Sequence, residues 1–179
     1  MKNIFLALGL TLAAFLNVNA QHNHSQHTAT TPVAATKTKT TAQPTTSAEQ
    51  LQVLYAHYIG IKDALVAGNK EQAASHANEL SQTASAISYR DLSEGNVNAL
   101  RKDASAIADA KDLAAQRKAF SNLSNNISAL AEKFKLSDKP VYQQYCPMAK
   151  GYWLSNEKEI RNPYYGSSML TCGSVKKTF

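Results

Sequence analysis

The chain has 179 residues, of which 18% are charged, and its formal net charge is +6. A chain of this length can bury a hydrophobic core within one domain, so disulfide bonds are optional for its stability. The positive excess is small, and no predicted element carries a basic stripe with interleaved aromatic residues. We therefore expect a single globular domain that does not bind nucleic acid.

Residues 1–20 have the pattern of a secretory signal peptide. Lys2 is followed by an apolar run from Ile4 to Leu16, and the stretch ends with a small residue, Ala20. This run is too short to span a bilayer, and no later segment reaches the ~18 apolar residues that a membrane helix needs. We expect cleavage near Ala20, no transmembrane segment in the mature chain, and a periplasmic or secreted protein.

Residues 21–47 form a stretch rich in Thr, Ala, Gln and Ser. Such a composition buries too little apolar surface to offset the entropy lost on ordering, so we expect a disordered linker. Its first residues include three histidines, here called the tail histidines: His22, His24 and His27. After cleavage, the His22 imidazole and the new N-terminal amine would lie close enough to bind copper(II) or nickel(II) together. The tail histidines are thus a weak candidate for a metal site, and a solvated tail without a function is the alternative interpretation.

Residues 48–178 are expected to form one helical domain, whose first part, residues 48–136, is a bundle. In this part the apolar residues recur at helical spacing in four segments. Gly68 ends the first segment, Asn69 begins the second, and the fourth starts near Asp112. Short connections between helices of similar length predict antiparallel neighbours. The predicted fold class is therefore all-α, an up-down four-helix bundle.

After Pro140 the helix-forming residues give way to aromatic residues, glycine and proline. The C-terminal segment, residues 140–175, holds the single tryptophan, Trp153, and most of the tyrosines. Its apolar side chains have to pack on the bundle, because otherwise they would form a large exposed patch. We expect a loop-like segment packed on the helices, with Trp153 either as its core anchor or as an aromatic shield beside a metal ion.

The C-terminal segment also contains every sulfur atom that follows the predicted signal peptide: Cys146, Met148, Met169 and Cys172. Pro147 disfavours a helical backbone at Cys146, and in an extended backbone residues two apart point to the same side. Met169 and Cys172 are three residues apart, so one helical turn would place them on a common face. Thiolate and thioether are soft ligands that select copper(I) or silver(I). The pattern indicates a single soft-metal site with these four residues as ligands.

A disulfide bond between Cys146 and Cys172 is the alternative interpretation, because an even pair of cysteines in an exported chain is ordinarily oxidised. Closing this loop would stabilise the fold by roughly 3 kcal/mol in the chain-entropy model. The two interpretations are compatible if the disulfide is reduced when copper(I) binds.

The sequence gives weaker indications of a role for the remaining histidines and none of a catalytic motif. His57 and His76 lie on the first two predicted helices, where they would either reach the C-terminal segment or face solvent. No phosphate-binding loop, nucleophile elbow or metalloprotease motif is found in the sequence. We therefore expect a protein that is not an enzyme.

Several stretches of the chain resemble a known family. They include Tyr-Cys-Pro-Met at 145–148, Ile-Arg-Asn-Pro-Tyr-Tyr-Gly at 160–166, Met-Leu-Thr-Cys-Gly at 169–173 and Tyr-Ile-Gly-Ile-Lys-Asp-Ala-Leu-Val at 58–66. These motifs resemble the family called domain of unknown function 3347 (DUF3347), and the resemblance covers about residues 48–178. It implies heavy-metal handling, and a relation to modules of periplasmic copper and silver efflux adaptors. The family's motif positions correspond to Cys146, Met148, Met169 and Cys172.

Two functions follow from these observations. The first is a periplasmic protein that binds copper(I) or silver(I) and either buffers the ion or delivers it to an efflux adaptor. The second is a protein-interaction module without a metal, in which the disulfide bond holds the aromatic C-terminal segment on the helices.

Overall fold

The computed structural model describes residues 46–179. It contains four α-helices: α1 (Ser47–Ala67), α2 (Lys70–Ala86), α3 (Glu94–Ala108) and α4 (Leu113–Ala131). The predicted signal peptide and nearly all of the predicted linker, with the tail histidines, lie outside the described residues. Among residues 46–179, none of the helices combines the length and the apolar character needed to cross a membrane.

The ends of α1 and the start of α2 lie at residues that suit the free backbone groups of a helix end. The Thr46 side chain accepts a hydrogen bond from the Glu49 N–H at 3.2 Å, and the Glu49 carboxylate accepts one from the Thr46 N–H. Gly68 ends α1 in the left-handed conformation, with a φ of 73°. The Asn69 side chain then caps α2 by accepting a hydrogen bond from the Gln72 N–H at 3.0 Å. The predicted boundary at Gly68 and Asn69 is confirmed.

The four helices form a bundle in which each helix packs on the next one along the chain. The start of α1 meets the end of α2, where Gln50 Nε2 donates to the Ala86 carbonyl oxygen. The start of α4 meets the end of α3, where Gln116 Nε2 donates to the Ile107 carbonyl oxygen at 3.3 Å. The contact between the start of α1 and the end of α2 shows that these two helices are antiparallel. The predicted helical bundle is confirmed.

The C-terminal segment contains a three-stranded antiparallel sheet, so the all-α prediction is wrong. The strands are β1 (Tyr142–Cys146), β2 (Gly151–Ser155) and β3 (Ser174–Thr178), in the spatial order β2-β1-β3. β1 and β2 form a hairpin, and β3 returns to the other side of β1 after a short 3-10 helix, Gly166–Met169. The fold is mixed, with a helical bundle followed by a small sheet.

The strands are hard to predict because each has only five residues and lacks a clear alternation of apolar and polar side chains. In β1 a polar residue, Gln144, occupies a fully buried position. Its burial is tolerated because Gln144 Nε2 donates to the carbonyl oxygen atoms of Glu157 and Glu159, at 2.9 and 3.1 Å. The aromatic residues of this segment favour strands, but the same residues also fit the expected packing of a loop on the helices.

The sheet packs on α4 and α1 through its strand β2. The Tyr58 hydroxyl on α1 accepts a hydrogen bond from the Leu154 N–H at 2.9 Å and lies 2.9 Å from the Ser124 hydroxyl on α4. All three residues are fully buried. Burial raises the pKa of Tyr58 well above its ordinary value, although both hydrogen bonds act to lower it. Tyr58 therefore links two helices and the sheet at one point of the core.

Arg117 on α4 makes a second connection between the bundle and the C-terminal segment. Its Nε donates to the Pro163 carbonyl oxygen at 3.1 Å, and its Nη2 donates to the Leu65 carbonyl oxygen at 3.0 Å. Gly166 passes so close that a Cβ atom there would lie 2.6 Å from Arg117 Nη2. The guanidinium group thus holds the segment around Pro163 against the end of α1.

Candidate functional site

The two cysteines lie next to each other at one end of the sheet. Cys146 is the last residue of β1, and Cys172 lies two residues before β3. Because Tyr145 pairs with Ser174 across the ladder, the residues beyond this pair come together at the same end of the sheet. The Sγ atoms of Cys146 and Cys172 are 3.4 Å apart.

This separation is a contact between two thiols and not a bond, because a disulfide bond has a sulfur–sulfur distance of about 2.05 Å. Both cysteines are free in the structure. The described residues therefore contain no disulfide bond between Cys146 and Cys172, which was the alternative interpretation of the sequence.

The turn between β1 and β2, residues 147–150, encloses the Cys146 thiol. The turn ends at Lys150, which has a φ of 50°. Within it, the Ala149 N–H donates to Cys146 Sγ at 3.4 Å. An interaction with the Met148 N–H lowers the pKa of both thiols. The turn thus directs backbone donors at the sulfur atom, an arrangement that stabilises a thiolate.

The backbone after Cys172 requires glycine. Gly173 has a φ of 153°, a backbone conformation that residues other than glycine rarely adopt. A Cβ atom at this position would lie 2.8 Å from the Trp153 ring and 3.0 Å from the Tyr145 carbonyl oxygen. The close approach of the Gly173 backbone to β1 and β2 therefore determines the position of Cys172.

The two thiols titrate as a coupled pair. Burial raises the pKa of Cys146, but hydrogen bonds from the Ala149 N–H, the Cys172 thiol, Asn162 and the Met148 N–H together lower it below its ordinary value. The pKa of Cys172 is raised, mainly by its hydrogen bond to Cys146 and further by burial. The hydrogen bonds around Cys146 therefore favour its thiolate over that of Cys172.

Asn162 is fully buried and joins the two parts of the site. Its Nδ2 donates to the Cys172 carbonyl oxygen at 2.9 Å, and its Oδ1 accepts from the Tyr164 N–H at 2.9 Å. Its backbone N–H donates to the Leu170 carbonyl oxygen at 2.8 Å. Asn162 was not among the predicted site residues. The signal that points to it is the Asn-Pro dipeptide formed with Pro163, because this pair favours a turn in which the Asn side chain bonds the backbone.

The two methionines lie on the turns that carry the cysteines, and their side chains are exposed. Met148 is 61% exposed and Met169 is 40% exposed. Met148 follows Cys146 by two residues, and the Met169 carbonyl oxygen accepts a hydrogen bond from the Cys172 N–H at 3.1 Å. The structure brings the two thiols into contact and leaves both thioethers at the surface of the adjoining turns.

Trp153 is a core residue beside the thiol pair. It is fully buried in β2 and packs edge-on against Tyr164, with 6.0 Å between the ring centroids. Its ring also lies close to the backbone of Gly173, the residue after Cys172. Its position fits the predicted role of a core anchor.

The comparison with protein families concerns the helical part of the chain. The model of a family described as "Protein of unknown function (DUF3347)" matches residues 54–139. This match supports the resemblance to the DUF3347 family over these residues. The DUF3347 match begins within α1 and ends directly before Pro140, so it covers most of the bundle and leaves the sulfur-bearing residues outside. No curated protein and no solved structure matches the chain.

Proposed function

We propose that this protein binds a soft monovalent metal ion, copper(I) or silver(I), between the thiolates of Cys146 and Cys172. The observation that carries this proposal is the contact of two unbonded thiols, whose Sγ atoms are 3.4 Å apart. The adjoining turns carry Met148 and Met169, which are proposed to add thioether ligands. Ligands of these two types select copper(I) and silver(I) over hard cations.

The thiol pair needs little rearrangement to hold an ion. Two thiolates that each lie about 2.3 Å from a shared tetrahedral ion are about 3.8 Å apart. The thiols at 3.4 Å need to separate by only about 0.4 Å to reach that spacing. Forming a disulfide bond would require a movement of about 1.4 Å in the opposite direction.

The exposure of the four residues supports reversible binding. Cys146 is fully buried, Cys172 is partly exposed, and the thioethers of Met148 and Met169 are at the surface. An ion would therefore be reached from solvent on the side of Cys172 and the methionines. A partner that offers its own methionines can replace these thioethers one at a time, which is transfer by ligand exchange.

The proposed cellular role is to buffer the ion outside the cytoplasm or to pass it to an efflux adaptor. This role rests on the predicted signal peptide and on the family resemblance of the motifs around the sulfur residues. It is a binding role without a catalytic step, since the ion leaves the protein unchanged.

Anaerobic titration of the reduced, full-length protein with copper(I), against a chromophoric competing chelator, tests the proposal. We expect one ion per chain, and an affinity at least about tenfold weaker in Cys146→Ser and in Cys172→Ser, equal to about 1.4 kcal/mol. Met148→Leu and Met169→Leu retain an apolar side chain of similar volume but lose the sulfur. Weaker binding in these variants assigns the thioethers as ligands.

Thr171→Ser is the matched control, because Thr171 is exposed and lies next to Cys172 without being a proposed ligand. Its copper(I) affinity is expected to equal that of the unmodified protein. The tail histidines remain in every variant, so their contribution is constant. An affinity that is unchanged when Cys146 and Cys172 are both replaced by serine would contradict the proposal.

A further inference from the structure

A second cluster of metal-binding side chains lies between α1 and α2, whereas the sheet packs on α1 and α4. His57 and His76 are the only histidines of residues 46–179, and both belong to this cluster together with Glu79. Neither of the two expected positions, against the C-terminal segment or free in solvent, describes them fully. Instead, the Nδ1 atoms of both rings lie 3.0 Å from the same oxygen, Glu79 Oε2.

The backbone of α1 makes room for this cluster. A Cβ atom at Gly60 would lie 2.7 Å from the His76 ring, so glycine allows the ring to lie directly against α1. Gly60 follows His57 by three residues and therefore lies on the same helix face. The same spacing separates His76 from Glu79 on α2. Two helices thus present three ligand side chains to one point.

The cluster is accessible from solvent. The side chains of His57, His76 and Glu79 are 24%, 39% and 44% exposed. One ligand atom from each residue lies within 4.8 Å of the other two. An ion can therefore reach the three atoms without any opening of the bundle.

We propose that His57, His76 and Glu79 form a binding site for a divalent cation of borderline softness, for which zinc is the best match. Zinc binds imidazole nitrogen and carboxylate oxygen, and three protein ligands leave its fourth position to water. Ligand atoms that lie 2.0–2.1 Å from a tetrahedral ion are about 3.3 Å apart. The two nitrogen–oxygen separations of 3.0 Å are close to this value.

The protonation of the rings is compatible with such a site. A carboxylate only accepts hydrogen bonds, so both rings donate to Glu79 from Nδ1. A ring that binds the ion through Nδ1 carries its proton on Nε2 instead. Burial lowers the pKa of His57 more than the carboxylate of Glu79 raises it.

This site is chemically distinct from the thiol pair and does not depend on it. Imidazole and carboxylate favour zinc and similar divalent ions, while the thiol pair with its thioethers favours copper(I). The test is therefore made in a background where Cys146 and Cys172 are both replaced by serine.

Zinc titration of that full-length double variant, followed by NMR of the histidine rings, tests the site. We expect the ring signals of His57 and His76 to shift together and to saturate at one zinc per chain. The tail histidines give separate signals, which the spectra distinguish by their loss in a variant with alanine at all three positions. If zinc shifts the tail signals and leaves those of His57 and His76 unchanged, the proposal is overturned.

Glu79→Gln keeps the side-chain size and one carbonyl oxygen while removing the charge, so zinc binding is expected to weaken at least about tenfold. His57→Ala is expected to remove saturable binding at the cluster.

Ser75→Ala is the matched control, because Ser75 is exposed on α2 next to His76. Far-ultraviolet circular dichroism reports folding, and Glu79→Gln remains decisive if His57→Ala fails to fold. The zinc affinity is measured from the ring signals of His57 and His76. If it is equal in Glu79→Gln and Ser75→Ala, the site is excluded.

Discussion

Gly173 shows how a single residue without a side chain determines the position of a cysteine. Its φ is 153°, and a Cβ atom on this residue would lie only 2.8 Å from the Trp153 ring, so any other residue type would be strained here. Trp153 is fully buried, so a Cβ atom at position 173 would have to displace a packed ring. The contact between Cys146 and Cys172 therefore depends on the glycine that follows Cys172.

Gly173→Ala is expected to lower the free energy of unfolding by about 1–3 kcal/mol, because it adds backbone strain and a clash with Trp153. Copper(I) affinity is expected to fall with it, since Cys172 is displaced. Urea unfolding and the chelator titration measure the two effects. Gly95→Ala is the control, because Gly95 lies within α3 and nothing is within 4 Å of its Cβ position. Gly95 is the second residue of α3, so Gly95→Ala is expected to raise the free energy of unfolding by less than the ~0.5–1 kcal/mol typical of the middle of a helix. A similar loss of stability in both variants would contradict the argument.

At the scale of secondary-structure elements, the contacts between helices and sheet depend on a few buried polar groups. Tyr58 links α1 to α4 and to β2 through its hydroxyl group. Tyr55, which stacks on Tyr58 with 5.9 Å between ring centroids, has a hydroxyl that bonds Asn156 in a less buried position. The two tyrosines therefore allow a comparison of the same chemical change at two depths.

Tyr58→Phe is expected to cost about 1–3 kcal/mol, because it leaves the buried Leu154 N–H without an acceptor. Tyr55→Phe removes a hydrogen bond nearer to solvent and is expected to cost about 0.5–1.5 kcal/mol. Chemical denaturation of both variants measures the difference. The interpretation of Tyr58 as the central link would be wrong if Tyr55→Phe proved the more destabilising.

A polar pair also joins α3 to α4, where Asn126 Nδ2 donates to Asp103 Oδ2 at 2.7 Å. Burial raises the pKa of Asp103, and the Asn126 hydrogen bond and the charge of Lys102 offset this only in part. The folded protein therefore binds this proton more tightly than the unfolded chain does. Its stability falls as the pH rises from the unfolded pKa to the folded pKa of Asp103, and the penalty is fully present above the folded value.

Asp103→Asn keeps an oxygen that accepts from Asn126 and removes the buried charge. It is expected to raise the stability at pH 7, by less than about 1 kcal/mol, and to have little effect at pH 3. Thermal unfolding at pH 3, 5 and 7 provides the measurement. An equal gain at all three values would show that the charge of Asp103 is not the cause.

The helices were predictable from sequence because their signals are local. Gly68 and Asn69 end one helix and begin the next through interactions within a few residues. The strands were not, because a five-residue strand is stabilised by its partners and a buried Gln144 conceals the pattern. Likewise, the roles of Asn162 and Gly173 depend on long-range contacts that no local spacing reveals.

At the scale of the whole molecule, the site depends on the pairing of β3 with β1. The sequence shows which residues contain sulfur. The hypothesis that they share one metal site required the two ends of the C-terminal segment to lie close together. The register that pairs Tyr145 with Ser174 provides this convergence for the two cysteines. A shift of one residue would turn the side chains to the other face of the sheet, and the sequence alone does not determine that register. The pairing of Cys146 with Cys172 was thus a hypothesis until the strands were placed.

Treatment of the reduced protein with diamide is expected to join the two thiols, which lie 3.4 Å apart. The thiols lose two protons and two electrons to the reagent, so the intact mass falls by about 2 Da. The oxidised protein is expected to lose copper(I) binding, and a reducing agent is expected to restore it. Retention of copper(I) affinity in fully oxidised protein would contradict the assignment of both thiolates as ligands.

The connections through Tyr58 and Arg117 also determine how the domain melts. Since each side chain joins helices to the C-terminal segment, the two parts are expected to unfold in one cooperative transition. A ligand that binds only the native state raises the unfolding free energy of the entire cooperative unit. An ion held by two sulfur atoms at one end of the sheet would therefore protect all four helices against heat.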